Sequence, residues 1–146
     1  MIRLELTSPD FGFTVHDATG NTMQFDIPVE QGGKGNGMRP MQTLLAALCA
    51  CSGVDVVKIL HKQRQEITSL QITADGEREP GKEPSLWKNI HVQFDVKGLI
   101  DPEKANRAVQ LSIEKYCSVA ETLRRAGAQI NWTLTTNGNI YPSDLS

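Results

Sequence analysis

The stretch from Met41 to about His61 most constrains what this chain can fold into. It contains no proline and only one glycine, Gly53, and Pro40 just before it suits the first position of a helix. Its first part, Leu44 to Cys51, is apolar at every helical position, so this helix lacks a polar face. One small sheet cannot cover such a helix completely. We therefore predict a long buried central helix that a second copy of the molecule covers in a homodimer.

The segments around this helix alternate between apolar and polar residues with the period of half-buried strands. This pattern predicts three short antiparallel strands near the N-terminus, two strands after the central helix and one final strand. Their approximate ranges are 2–6, 11–15, 23–27, 67–74, 90–96 and 130–134. Between the first strands and the helix, the glycine-rich segment 31–37 lacks the Gly-x-x-x-x-Gly-Lys-Ser/Thr pattern, so we expect a flexible loop and not a phosphate cradle.

Two more helices are expected in the second half of the chain. Asp101 suits the N-cap of the first, with Pro102 at its first position. Ser118 and Glu121 fit a capping box at the start of the next, which Gly127 ends. The resulting order, βββ-α-ββ-αα-β, predicts an α+β fold with an antiparallel sheet in a single domain over residues 1–146.

Composition and charge argue against several classes of partner. The 146-residue chain has a net charge of −2 and shows no basic stripe, so no nucleic-acid partner is expected. Its longest apolar run, Leu44 to Cys51, is far shorter than the roughly 18 residues of a membrane span, so no membrane partner is expected. The N-terminus lacks the long apolar stretch of a signal peptide, which favours a cytoplasmic location.

The three cysteines are the residues most suited to chemistry, and their odd number argues against a structural disulfide framework. Cys51 is either a small buried hydrophobic residue or a reactive thiol. Cys117 directly precedes the predicted capping box, where the positive end of a helix is expected to lower the pKa of a thiol. If the third helix packs across the long one, the two thiols can meet and form a redox pair.

The other polar residues give weaker indications of a functional site. Three histidines (His16, His61 and His91) have no metal-ligand spacing, so no metal site is expected. Asp55 lies one turn after Cys51 on the same helix face. Two interpretations stay open for it: it holds a cation, Arg39 or Lys58, that favours the thiolate, or it is an ordinary polar residue where the helix reaches solvent.

Two segments resemble the cysteine motifs of the OsmC and organic hydroperoxide resistance family. Pro40 to Cys51 is similar to the family's central-helix motif, and Glu114 to Val119 is similar to its second cysteine motif. The segment between them has the family's spacing, and the resemblance covers nearly the whole chain. It is closest to the branch with a Cys-Ser-Gly-Val-Asp-Val-Val pattern, here Cys51 to Val57.

The resemblance implies a fold, an assembly and a reaction. It implies a swapped homodimer, with two central helices buried between antiparallel sheets and active sites at the dimer interface. It implies that the Cys51 thiolate attacks a hydroperoxide and becomes a sulfenic acid. Cys117 then forms a disulfide with it, an external dithiol restores both thiols, and no metal or bound cofactor takes part. Well-studied members carry a glutamate, paired with an arginine, where this chain has Met41, so Arg39 and Asp55 are the candidate supporting residues here.

The leading hypothesis is a thiol-dependent hydroperoxide reductase that prefers organic peroxides because apolar side chains surround its site. The alternative is a dimeric scaffold of the same fold that binds a small apolar or thiol ligand and has little peroxidase activity. A purely structural role is a third interpretation. The reactivity of Cys51 separates them, because a peroxidase needs a thiol that reacts quickly at neutral pH.

Overall fold

In the computed structural model, which describes residues 1–142, the apolar stretch forms the 23-residue helix α1 (Pro40–Lys62). A single stripe along α1 is buried; its members are Leu45, Leu48, Ser52, Val56 and Leu60. Val54, on another face, is 53% exposed. One chain therefore buries one side of the central helix, because a single sheet covers a single face, and leaves apolar surface on the other side.

By length and composition, α1 also qualifies as a helix that can cross a membrane, the one such helix within residues 1–142. Its most apolar 18 residues have a mean hydropathy of 1.9, and 28% of them are buried. The unbroken apolar run from Leu44 to Cys51 is shorter than a membrane span, but the helix continues beyond it through Gly53 to Leu60. The core helix of a soluble protein meets the same criterion, so the absence of a membrane partner stays a prediction.

The first 44 residues form one compact unit, built on a three-stranded sheet. Its strands are β1 (Ile2–Leu6), β2 (Phe13–Asp17) and β3 (Thr22–Phe25). Both strand pairs are antiparallel, which confirms the meander predicted from the alternating pattern. A short 3₁₀ turn, Val29–Gln31, follows before the glycine-rich segment.

The glycine-rich segment folds around one carboxylate. Asp26 is 4% exposed and accepts backbone hydrogen bonds from Ile27 (2.7 Å), Lys34 (3.3 Å) and Asn36 (3.1 Å). At Gly33 a Cβ atom would lie only 2.1 Å from the carbonyl oxygen of Ile27, so the turn requires glycine there. The segment is thus an ordered turn around Asp26, an arrangement that its composition did not indicate.

The second compact unit begins at Leu45 and contains a four-stranded sheet of order β4-β5-β6-β7. Its strands are β4 (Glu66–Arg78), β5 (Trp87–Leu99), β6 (Gln129–Thr136) and β7 (Asn139–Tyr141). The sheet is mixed and not purely antiparallel as expected, because β5 and β6 run parallel. A helical crossover joins these two strands and returns the chain to the same end of the sheet. The short strand β7 was not predicted.

The crossover between β5 and β6 consists of two helices joined by an irregular, π-helical turn. Helix α2 (Pro102–Leu111) starts as predicted: the Asp101 side chain accepts the N–H of Glu103 at 2.9 Å. It continues as a π-helical turn, Ser112–Tyr116, and then as helix α3 (Ser118–Arg125). The sequence predicted the two helices but not the π-helical turn between them.

Helix α1 from Leu45 onward packs with α2, α3 and the sheet in one apolar core. Its largest fully buried side chains include Phe94, Leu48, Leu60, Ile90, Ile113 and Leu134. A Cβ atom on Gly53 would approach Cδ1 of Ile72 to 3.1 Å, so glycine allows a close approach of α1 to β4. That the whole chain acts as one domain stays a prediction.

Candidate active site

Cys51 lies in the middle of α1, half-buried against the core. The next residue, Ser52, is fully buried, and its hydroxyl donates to the carbonyl oxygens of Leu48 (2.8 Å) and Cys49 (3.2 Å). These bonds satisfy a polar group that would otherwise be costly inside an apolar stripe. Cys51 therefore projects from a regular, well-packed part of the helix.

Cys117 connects the π-helical turn to α3 and is itself the N-cap of α3. Its Sγ accepts the N–H of Ala120 at 3.4 Å, and its own N–H donates to the carbonyl of Ser112 at 2.8 Å. The N-cap is therefore Cys117, one residue before the predicted Ser118. Glu121, expected to reach back to the cap, instead binds Arg125 at 2.9 Å, and this hydrogen bond lowers its pKa.

The structure brings the two predicted thiols together, and both are free in it. The side chain of Cys51 lies within hydrogen-bonding reach of Cys117 and helps to raise its pKa. The larger cause is burial, because Cys117 is only 3% exposed. Burial and the Cys51 side chain together raise the pKa of the Cys117 thiol to about 11. The expected lowering by the helix terminus is therefore wrong in sign: the Ala120 N–H does favour the thiolate, but burial outweighs it.

The third cysteine occupies a different position on α1. Cys49 precedes Cys51 by two residues, which places it about 200° around the helix. It is half-buried, and burial raises the pKa of its thiol. This position suits a role in packing.

Asp55 joins α1 to the π-helical turn. Its Oδ2 accepts a hydrogen bond of 3.0 Å from the hydroxyl of Ser112, which is fully buried. The same hydroxyl lies 3.4 Å from the carbonyl oxygen of Ser52. Ser112 was not among the predicted site residues, although a serine between the apolar residues Leu111 and Ile113 indicates that a polar partner is needed.

Arg39 and Met41 lie around the start of α1, in the first compact unit, whereas Cys51 and Asp55 belong to the second. The backbone N–H of Arg39 lies 3.4 Å from Oε1 of Gln42. The observed partner of Asp55 is thus a hydroxyl, and a supporting role for Arg39 stays a prediction.

A surface depression of about 370 Å³ opens beside Cys117. The residues that line it include Lys115, Tyr116, Glu121 and Arg125. This depression gives a small solute a route to the buried end of the thiol pair. Within residues 1–142, no group of three or more histidine, cysteine or acidic side chains is arranged to hold a metal ion.

The fold and the paired cysteines define an OsmC-like protein. The family model described as OsmC-like protein matches residues 33–133, a span that includes both thiols, and this chain belongs to that family. Among curated relatives, protein YhfA of Escherichia coli strain K12 is 44% identical over 89 residues. That match covers 60% of this chain and 65% of YhfA, so less than two thirds of the relative's length is compared.

Two solved structures illustrate the range of the fold. A hypothetical protein from Aquifex aeolicus VF5 is 31% identical, with a TM-score of 0.77 over 94% of this chain and 96% of its own. An organic hydroperoxide resistance protein OsmC from Legionella pneumophila is 15% identical, with a TM-score of 0.70 over 92% of this chain and 95% of its own. At that identity, the second likeness concerns the fold alone.

Proposed function

We propose that this protein is a thiol-dependent reductase of organic hydroperoxides, with Cys51 as the nucleophile and Cys117 as the resolving thiol. The observation that carries the proposal is the side-by-side placement of two free thiols that are far apart in sequence. The name of the Legionella pneumophila protein, an organic hydroperoxide resistance protein of the same fold, agrees with it.

The different environments of the thiols support this division of roles. A pKa of about 11 keeps Cys117 protonated at neutral pH, so it can donate a hydrogen bond to a Cys51 thiolate. Cys51 then attacks one peroxide oxygen, the O–O bond breaks, and the alkoxide takes a proton from water to leave as an alcohol. Cys51 becomes a sulfenic acid at the edge of an apolar core, which favours organic peroxides.

The second half of the cycle needs Cys117 and an external dithiol. Cys117 attacks the Cys51 sulfenic acid, an S–S bond forms, and water leaves with the proton of Cys117. A dithiol then supplies two electrons and two protons and is itself oxidised to a disulfide. The depression beside Cys117 is the route by which this reductant reaches the bond. Such a cycle requires a reducing compartment, which is why we favour the cytoplasm.

The same proposal includes a homodimer. A single chain leaves apolar surface on α1, with Val54 53% exposed and only 28% of the most apolar stretch buried. A second copy of α1 is an occupant of matching chemistry, since both surfaces are apolar. The resemblance to the OsmC family adds that the strands exchange between copies.

The test is the intact mass of the reduced protein after one equivalent of cumene hydroperoxide, followed by a thiol trap. We expect a loss of about 2 Da, with Cys51 and Cys117 protected from the trap and Cys49 still reactive. An unchanged mass with three trapped thiols contradicts the proposal.

The second candidate is a dimeric scaffold that binds a small apolar or thiol ligand. Met41 favours it, because a methionine stands where well-studied family members carry the glutamate that pairs with an arginine. A scaffold predicts that Cys51 reacts slowly with electrophiles at pH 7 and that hydroperoxide does not compete with them. A peroxidase predicts fast labelling that hydroperoxide suppresses.

A further inference from the structure

We propose that Asp55 and Ser112 form a positioning pair for the two thiols, and that this pair sets how readily they join in a disulfide. The biological meaning of the inference rests on the proposed function, whereas its geometry involves no peroxide. Neither residue needs to touch substrate for this role. It acts through the position of Cys117.

Ser112 forms hydrogen bonds in two directions, toward α1 through its hydroxyl and toward Cys117 through its carbonyl oxygen. Its hydroxyl donates to Oδ2 of Asp55 on α1 at 3.0 Å. Its carbonyl oxygen accepts the N–H of Cys117 at 2.8 Å. One fully buried residue therefore joins α1 to the backbone of the resolving thiol.

Because of the π-helical turn, the backbone of Cys117 is bonded to Ser112 and not to the residue that a regular helix would provide. In a regular α-helix the N–H of Cys117 would bind the carbonyl of Ile113, four residues earlier. Here the guanidinium of Arg124 donates to the Ile113 carbonyl, and Cys117 binds Ser112, five residues earlier. Such turns are rare, and those that occur often lie at functional sites. We therefore expect specific hydrogen bonds to hold the chain where one occurs.

The four residues close a ring. Asp55 lies one turn after Cys51 on α1, Ser112 binds Asp55, Cys117 binds Ser112, and the two thiols meet. If the Asp55–Ser112 bond is removed, the polar tie between Cys117 and α1 is reduced to the longer, 3.4 Å contact of the Ser112 hydroxyl with the Ser52 carbonyl oxygen. The thiols then sample more arrangements, and fewer of them suit the strict geometry of a disulfide.

The experiment measures the Cys51–Cys117 disulfide equilibrium in glutathione buffers of graded redox potential, which gives the effective concentration of one thiol at the other. We expect Ser112→Ala to lower this effective concentration by roughly 3- to 10-fold, the value of one buried hydrogen bond. Asp55→Ala should lower it by a somewhat smaller factor, because the Ser112 hydroxyl keeps its 3.4 Å contact with the Ser52 carbonyl oxygen. Because Asp55 is only half-buried, this variant tests the link if Ser112→Ala does not fold. Asp55→Asn should stay close to wild type, since an amide oxygen still accepts the hydroxyl.

Ser52→Ala is the matched control. It also removes a buried hydroxyl next to Cys51, but one that bonds only within α1. We expect it to lower the melting temperature and leave the effective concentration unchanged. Equal effects of Ser52→Ala and Ser112→Ala, or a wild-type value in both Asp55→Ala and Ser112→Ala, would overturn the positioning role.

The outcomes also separate this inference from the proposed function. If wild-type protein does not react with cumene hydroperoxide but Ser112→Ala still lowers the effective concentration, the positioning role stands and the peroxidase proposal fails. If peroxide turnover is normal and the effective concentration in Ser112→Ala equals that of wild type, the peroxidase proposal stands and the positioning role fails.

Discussion

The two thiols are presented by very different pieces of backbone. Cys51 projects from the middle of a regular 23-residue helix, and it is half-buried. Cys117 follows a π-helical turn, caps a short helix with its own sulfur and is 3% exposed. The comparison indicates that a regular helix places Cys51, whereas specific hydrogen bonds around an irregular turn place Cys117.

The largest expected effect comes from removing one thiol or the other. Cys51→Ser should reduce peroxide turnover below roughly one thousandth of wild type, because the neighbouring Cys117 stays protonated at neutral pH and Cys49 lies on another face of α1. Cys117→Ser should still react once with hydroperoxide, but Cys51 then accumulates as sulfinic acid instead of a disulfide. Turnover is measured as the rate of dithiol oxidation under excess cumene hydroperoxide. The oxidation state of Cys51 is measured by mass spectrometry of the protein.

Cys49→Ser is the control for these variants, because it removes a thiol from the same helix but a different face. Its turnover should equal that of wild type. Turnover that persists in Cys51→Ser and is lost in Cys49→Ser would reverse the assignment of the nucleophile.

The next effect concerns the exposed side of α1. Val54→Asp places a charge where we propose that a second copy packs, and an unpaired buried charge should weaken dimerisation by roughly 100-fold or more. Light scattering after size-exclusion chromatography measures the change in mass. Leu99→Asp is the control, because Leu99 is 74% exposed and lies at the end of β5.

A monomeric wild-type protein that needs no detergent would contradict the dimer. Wild-type protein that dissolves only in detergent would instead support a membrane-bound role for α1.

A smaller effect distinguishes the thiols by pH. With a pKa of about 11, Cys117 is ionised to only about 0.1% at pH 8, and its alkylation should become about tenfold faster per pH unit up to that value. In Cys51→Ser the pKa should fall, because Cys51 contributes to the shift, but stay above the ordinary value because burial remains. Iodoacetamide labelling followed by peptide mass spectrometry gives both profiles.

The same shift predicts a change in stability. In the unfolded chain a cysteine ionises near 9.0, whereas Cys117 stays protonated in the folded protein up to about 11. The folded state therefore binds the proton more tightly, and the free energy of unfolding should fall as pH rises from about 9 to about 11. Urea unfolding across this range should show a smaller fall in Cys117→Ser than in wild type.

The regular parts of the molecule were predictable from sequence, and the irregular parts were not. An unbroken apolar run after Pro40 located α1, alternating apolar residues located every strand except β7, and Asp101-Pro102 located the start of α2. The π-helical turn was missed because the hydrogen bonds around it join residues that are distant in sequence, such as Ser112 and Asp55. The pKa of Cys117 was misjudged for a related reason: a helix start is visible in the sequence, but the burial that outweighs it is a tertiary property.

The smallest effect tests whether the irregular segment is also held from its other side. Arg124 and Arg125 both bind Glu121, but only Arg124 also donates to the carbonyl of Ile113 in the π-helical turn. Arg124→Ala should lower the free energy of unfolding in urea by about 1–2 kcal/mol, since it leaves that carbonyl without its charged donor. Arg125→Ala removes an ion pair whose arginine side chain is 81% exposed, so it should cost about 0.5 kcal/mol or less. Equal losses of free energy would mean that the turn is fixed by Ser112 and core packing alone. A larger loss for Arg124→Ala would mean that the turn before Cys117 is held from two sides, by Asp55 on α1 and by Arg124 on α3.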